Sequence, residues 1–254
     1  MKNIILGLLA IISVQVLGQN NDKIDFTTEI KGFDISNLLT LSEFNIEASD
    51  EIVGRPEPLG YIGENYLRFR IHFISVIQNP KNSMEYFVYG KSKVKNNICD
   101  FQGILTVEKA MLFAESEFPT FKQGLFNGKY EFFENPNQKG TGVFKGRFHT
   151  FFYIDTDGKI KYDALMFVAD GFENNQFEGT WTSYNSGNPK KCNWGDFRIP
   201  DSGNFDSGAG EFGPNSKYAE FGWESYLKAW IYNPNSPGVE EARKVESEKW
   251  WIEK

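Results

Sequence analysis

From position 66 to about 199 the chain alternates apolar and polar residues with a period of two, the pattern of half-buried β-strands. The first such run is the clearest. Leu67, Phe69, Ile71 and Phe73 fall on one face, with Arg68, Arg70 and His72 on the other. Residues 84–94 form the next strand. Lys95, Asn96 and Asn97 then supply the left-handed residues of a tight hairpin. Residues 98–107 return with Cys99, Phe101, Gly103, Leu105 and Val107 aligned. Further strands are predicted at 129–134, 141–155, 159–169, 176–184 and 191–199, with turns at Asn79-Pro80-Lys81-Asn82, Asn135-Pro136-Asn137 and Asp155-Thr156-Asp157-Gly158. Residues 108–126 are mixed, and Pro119 argues against a central strand there. Two runs carry internal glycine: Gly142-Val143-Phe144-Lys145-Gly146-Arg147-Phe148 and Phe177-Glu178-Gly179-Thr180-Trp181. Glycine inside a strand marks a bend or a bulge. Short connections between successive strands predict an up-and-down antiparallel meander. The fold class expected is mainly β, a meander barrel or failing that a sandwich.

The two ends of the chain read differently. Lys2 precedes an apolar run over 4–17, and Val16 and Gly18 are small residues before a cleavage point. That is the layout of a signal peptide over 1–18, cleaved after Gly18, and it predicts a secreted or periplasmic protein with no membrane span in the mature chain. In 19–60 the stretch 35–46 fits an amphipathic helix or a strand pair. Gly54-Arg55-Pro56-Glu57-Pro58 and Gly60 make a loop. The barrel domain is expected over 61–200, followed by a helical appendage over 201–254. In that appendage Asn215 or Ser216 caps a helix from Lys217 to about Ile231. A second helix starts at Ser236-Pro237. Trp223, Tyr226, Leu227 and Trp230 share one face of the first.

The chain has 254 residues and a net charge of −7. Removing 1–18 takes away Lys2 and no acid, leaving 26 basic against 34 acidic residues, or −8. Such a chain repels phosphate backbones, so nucleic acid is not an expected partner. The two cysteines, Cys99 and Cys192, in an exported protein predict one disulfide, with two buried free thiols as the alternative.

Candidate chemistry is sparse. Asp155, Asp157 and Gly158 begin like a calcium loop, but Lys159 and Lys161 follow where further oxygen ligands belong. Asp196, Asp201, Asp206 and Glu211 recur at intervals of five through a glycine-rich stretch without a known ligand spacing. His72 and His149 are the only histidines. Both lie within strands, and no Gly-x-Ser-x-Gly turn accompanies them. Glu131, Glu134, Asp163, Glu178 and Asp196 lie on or beside strands without a glycosidase signature. No catalytic residue, metal or cofactor is assigned.

The aromatics carry more. Phenylalanine alone contributes 24 residues. Phe144, Phe148, Phe152, Tyr162, Met166, Phe177, Trp181 and Trp194 align through successive strands. They form either an ordinary aromatic core or the lining of a lumen for a small ligand. The two glycine-bearing runs, with Gly179-Thr180-Trp181 at the centre of one, resemble the calycin barrels, the lipocalin and avidin-like group. The resemblance covers about 66–199. In lipocalins the Gly-x-Trp motif opens the first strand, whereas here it falls near the end. It implies a barrel with a small-molecule site. The resulting expectation is an exported, non-enzymatic protein that binds a small apolar or ring-containing ligand in the barrel lumen or mouth. One rival is a carbohydrate-binding or glycan-active protein using Trp194, Trp223 or Trp230 as platforms. Another is a structural or adhesive envelope protein that uses an exposed aromatic face.

Overall fold

The computed structural model describes residues 23–46, 49, 51–116 and 118–252. Residues 1–18, expected to form a signal peptide, lie outside the described residues. The body is a closed ring of eight antiparallel strands. These are β4 (Leu59–Ile62), β5 (Leu67–Asn79), β6 (Asn82–Val94), β7 (Asn97–Phe113), β8 (Lys122–Glu134), β9 (Gly142–Ile154), β11 (Asn174–Ser183) and β12 (Pro189–Asp196). Each pairs with the next, and β12 closes on β4 with Trp194 opposite Gly60. The up-and-down meander is therefore present. Two short strands extend the wall. β1 (Lys23–Asp25) pairs with the far end of β7, and β10 (Ile160–Tyr162) with the far end of β9.

The ring differs from the sequence expectation in one strand. Residues 159–169 give only the three-residue β10 before turns take over at Asp163. The Asp163 backbone N–H still reaches Phe151, but its side chain leaves the sheet to accept from Gln123 and from the Leu165 N–H. The eighth ring strand is β4, from a stretch that read as loop.

What lets the ring close over so many aromatics is glycine on the facing strand. Gly90 lies opposite Phe101, Gly103 opposite Phe132, Gly124 opposite Phe152, Gly128 opposite Phe148, and Gly60 opposite both Phe69 and Trp194. Gly146 sits between Tyr130 and Gly179. Directly opposed residues point to the same face. Each ring therefore lies over a residue with no side chain of its own. A Cβ added at Gly90 would stand 2.5 Å from the Phe101 ring, and one at Gly179 2.6 Å from the Tyr130 hydroxyl oxygen. The expected bends at Gly142, Gly146 and Gly179 are absent, because β9 and β11 pair there without a register shift. These glycines make room rather than irregularity.

The interior is accordingly filled. Phe144, Phe148, Phe152, Phe177, Tyr162 and Trp194 are all buried in one cluster. Phe177 stacks on Trp194 at 4.9 Å, and Phe148 on Phe177 at 5.4 Å. One end is stopped by the N-terminal segment. Ile30, Ile35, Leu38 and Leu39, the last two on α1 (Ser36–Thr40), enter the same cluster. The hairpin β2 (Glu43–Asn45) and β3 (Ile52–Gly54) follows, and Phe44 stacks on Tyr162. The uncertain stretch 35–46 is thus part helix and part strand.

The expected disulfide does not form. Cys99 and Cys192 are buried free thiols. They sit on β7 and β12, four strands apart in the ring by either route, so the barrel's width separates them. Burial, with the Glu134 carboxylate adding to it, pushes the Cys99 thiol up to about 11 and the Cys192 thiol well above its ordinary value.

The C-terminal appendage packs on the outside of β4 and β5. Asn215 caps a 3₁₀ segment, Ser216–Phe221, by accepting from the Lys217 N–H. α2 (Glu224–Tyr226), a π turn over Leu227–Ile231 and α3 (Val239–Glu246) follow. The long helix expected from Lys217 is broken at Gly222, whose φ is 95°. Trp223 is fully buried in a second cluster with Tyr61, Phe205 and Phe212, and its indole N–H donates to the Tyr66 carbonyl at 2.7 Å.

Gly90→Ala tests the opposed-glycine packing. Strand propensity alone would favour alanine by about 0.5–1 kcal/mol. Overlap with the Phe101 ring and the His72 carbonyl outweighs that, so the variant should lose about 1–3 kcal/mol in urea unfolding. An unchanged or higher midpoint would contradict the packing.

Candidate lateral cleft

β4 is only four residues long, whereas its neighbour β5 runs for 13. Upstream of β4 come Pro56 and Pro58, which have no N–H to give to a ladder. The wall between β5 and β12 therefore unzips beyond Phe69 and Leu59, the last pairs toward that end. The gap opens a cleft of about 1060 Å³. Its floor is the edge of the aromatic core, namely Ile71, Phe73, Phe177 and Trp194. Phe167, Phe172 and Phe197 pack edge to face along one side, with centroids 5.1–5.5 Å apart. Arg68, Arg70 and His72, on the outward face of β5, line the other side, and the appendage adds Trp230, Glu246 and Trp251.

Two buried carboxylates hold the sides. Asp196, at the end of β12, is fully buried. It accepts from the Arg55 guanidinium at 2.7 and 2.9 Å, from Asn175 Nδ2 at 2.8 Å and from the Tyr162 hydroxyl at 3.0 Å. Arg55 also donates to the carbonyls of Leu39 and Leu41. This one carboxylate ties the N-terminal plug, β10, β11 and β12 together. Asn175 and Phe197 on either side of it hold left-handed backbone, with φ of 46° and 64°.

Glu246 anchors the appendage. It accepts from Arg68 at 2.7 Å and Arg70 at 3.2 Å, and the Ser225 hydroxyl donates to it. Burial opposes its ionised form, and the two guanidiniums outweigh burial, so its pKa lies below the ordinary carboxylate value. Arg68 also lies over the Trp223 ring at 4.2 Å. Nearby, His72 Nδ1 meets the Glu57 carboxylate at 2.9 Å, and the imidazole stacks on Trp251 at 3.8 Å and 11°. Trp251 thus forms a flat wall of the cleft.

Of the aromatics aligned from sequence, Phe177 and Trp194 reach the cleft. Phe144, Phe148, Phe152 and Tyr162 lie within the packed core, and Met166 is exposed in the loop after β10. Trp181 is half-buried at the other end of the barrel, where its indole N–H donates to Glu134 at 2.8 Å. Burial raises the Glu134 pKa even though Ser92, Trp181 and the Gly142 N–H donate to it. Arg70, Phe73, Glu57 and Trp251 carry the cleft and were not singled out as a site. The signal for them was the Arg55-Pro56-Glu57-Pro58 run, a strand approach that cannot ladder.

The other candidates disperse. Asp206 pairs with Arg198, Asp201 with Lys191, and Glu211 is exposed. Among the described residues no three ligand-type side chains converge on a metal position. Nor is any helix among them long and apolar enough to cross a membrane. Glu131 and Glu178 face outward, apart from the buried Glu134, Asp163 and Asp196. Trp194 and Trp223 are 1% and 0% exposed and offer no open face, while Trp230 is 54% exposed. Comparison with family models, curated proteins and solved structures finds no match to this chain.

Acid should loosen the appendage first. A carboxylate with a lowered native pKa gives stability that is full above its unfolded value, about 4.3. That stability is lost as the pH falls through the lower native value. Hydrogen exchange over 239–252 should therefore accelerate below about pH 4, while β7 and β8 stay protected. Glu246→Gln, which leaves two guanidiniums without their carboxylate, should show the fast exchange at neutral pH, with about 3 kcal/mol lost locally. Uniform loss of protection across the chain would contradict this.

Proposed function

We propose that the protein is an exported, non-enzymatic binding protein that takes a small apolar or ring-containing ligand in the lateral cleft at the barrel mouth. The observation that carries this is the unzipped wall. Aromatic core residues meet an opening of about 1060 Å³ there instead of a closed ladder. Concave sites with an apolar floor and a few placed polar groups are the usual form of a small-molecule pocket. Phe73, Phe177 and Trp251 supply the apolar surfaces, and Arg70, His72 and Glu57 the polar ones. The charged groups that face the cleft are largely engaged with one another, so they shape the site rather than react. The packed interior leaves the lumen to side chains, and the mouth is where a ligand fits.

A second reading has its own observation. Ile77, Phe87 and Ile104 stand in direct register on the outer face of β5, β6 and β7, with exposures of 60%, 44% and 40%. Tyr89 and Phe133 widen this patch. Clustered exposed apolar side chains suit protein contacts, as an adhesive or structural role would require. Sedimentation separates the two readings. Self-association at micromolar concentration that Phe87→Lys abolishes supports contact through this wall, and a monomer at all concentrations removes it.

Fluorescence titration with N-phenyl-1-naphthylamine tests the cleft. One saturable site is expected. Phe73→Ala and Trp251→Ala should each weaken it at least about fivefold, the scale of losing part of one buried ring's contact. Phe133→Ala, on the outer wall, should leave it unchanged. Absence of saturable binding, or binding indifferent to Phe73 and Trp251, would overturn the proposal.

A further inference from the structure

The charges along the cleft do not cancel locally. On the β5 side two guanidiniums, Arg68 and Arg70, share the single carboxylate of Glu246. All three side chains are nearly buried, at 8%, 13% and 6% exposure. Arg68 keeps two buried N–H groups, on Nε and Nη1, with no hydrogen-bond partner. Desolvation brings its pKa down to about 10, and Arg70 contributes to the fall. Lys249, exposed on the appendage, also lines the cleft. Elsewhere Asp196 is matched by Arg55, and Glu57, hydrogen-bonded to His72, is more exposed than Glu246, at 27%. The acids of the opposite lip, Asp170 and Glu211, are exposed, where water screens them. The buried Arg68–Arg70–Glu246 group thus carries one surplus positive charge in a poorly solvated wall, beside an aromatic floor. Charge in such a place is felt more strongly than the same charge on the surface.

We infer that the cleft selects an amphipathic monoanion. Its apolar body, a ring system or short chain, lies against Phe73, Phe177 and Trp251, and its single carboxylate-like head sits against Arg70 and Lys249. This rests on the cleft being the ligand site, and it adds the class of ligand. The head meets Arg70 already held in place by Glu246, so little ordering of that side chain is needed on binding. A cationic head would meet the same wall with repulsion. A neutral head would gain only the apolar contacts.

Three ligands that share one ring test this: 2-naphthoate, 2-naphthalenemethanol and 2-naphthylmethylammonium. Each displaces N-phenyl-1-naphthylamine from the full-length protein at low salt. Naphthoate should bind about tenfold tighter than the alcohol, the scale of one charge-assisted hydrogen bond. The ammonium should bind weakest. Arg70→Gln should bring acid and alcohol to within about twofold. Lys249→Gln, at an exposed position, narrows the gap without risk to folding. Added salt should narrow it in the wild type. Equal affinity for all three heads would overturn the anion preference and leave the cleft as a binding site. Displacement by none of them, with no binding of the neutral dye, would overturn both.

Discussion

The fold depends on one steric constraint: five of the large rings that point into the barrel have a glycine, with no side chain, directly across from them, while Phe144 and Phe177 lie across from other rings. Eight strands enclose an interior just wide enough for side chains to fill. Phe101, Phe132, Phe148, Phe152 and Trp194 fit because Gly90, Gly103, Gly128, Gly124 and Gly60 oppose them. The same pairing fixes register. A strand that slipped by one residue would set a ring against a side chain and turn the polar face inward. Dense packing in the interior then decides where a ligand can go. A filled barrel has its free volume at the wall, and the wall fails where Pro56 and Pro58 cannot ladder.

Electrostatics sets what that opening is like. Asp196 and Glu246 are both buried carboxylates and both meet arginine, but they do different work. Asp196 is matched by one guanidinium and by two neutral donors, Asn175 and Tyr162, so it locks the plug and strand ends without leaving charge over. Glu246 is outnumbered by Arg68 and Arg70, so it fastens the appendage and leaves the cleft wall positive. Breaking either pair would leave a buried charge without its partner, which is costly. From Val239 on, the described residues of the appendage have only Val239, Ala242 and Trp250 as buried apolar anchors, so this last helix and tail lean on the electrostatic contact.

Much of the barrel was legible because period-two alternation survives wherever one face is buried. That held for β5, β6, β7, β9 and β11. It did not hold for 159–169, where Asp163 uses its carboxylate as a turn anchor, or for β4, whose four residues are all buried and show no alternation. Glycine was read as a bend, since a single strand does not reveal what lies across from it. The aromatic group was found as a group, yet only Phe177 and Trp194 of it reach the cleft. The remaining cleft residues come together from β5, the proline run and the C-terminus, 178 positions apart in the case of Arg68 and Glu246. No local spacing carries such a meeting. The cysteines show the limit of arguing from compartment: two cysteines in a chain expected to be exported suggest a bridge, but strands on opposite walls of the ring keep them apart.

The central claim is that this barrel is solid along its axis and offers a ligand its side. Crystals of the full chain grown with N-phenyl-1-naphthylamine address it directly. Ligand density is expected between Phe73, Phe177 and Trp251, with the Phe126 ring still packed against Phe148 and Phe152. Density on the barrel axis among those three phenylalanines, with the seam between β5 and β12 closed by regular pairing, would contradict it.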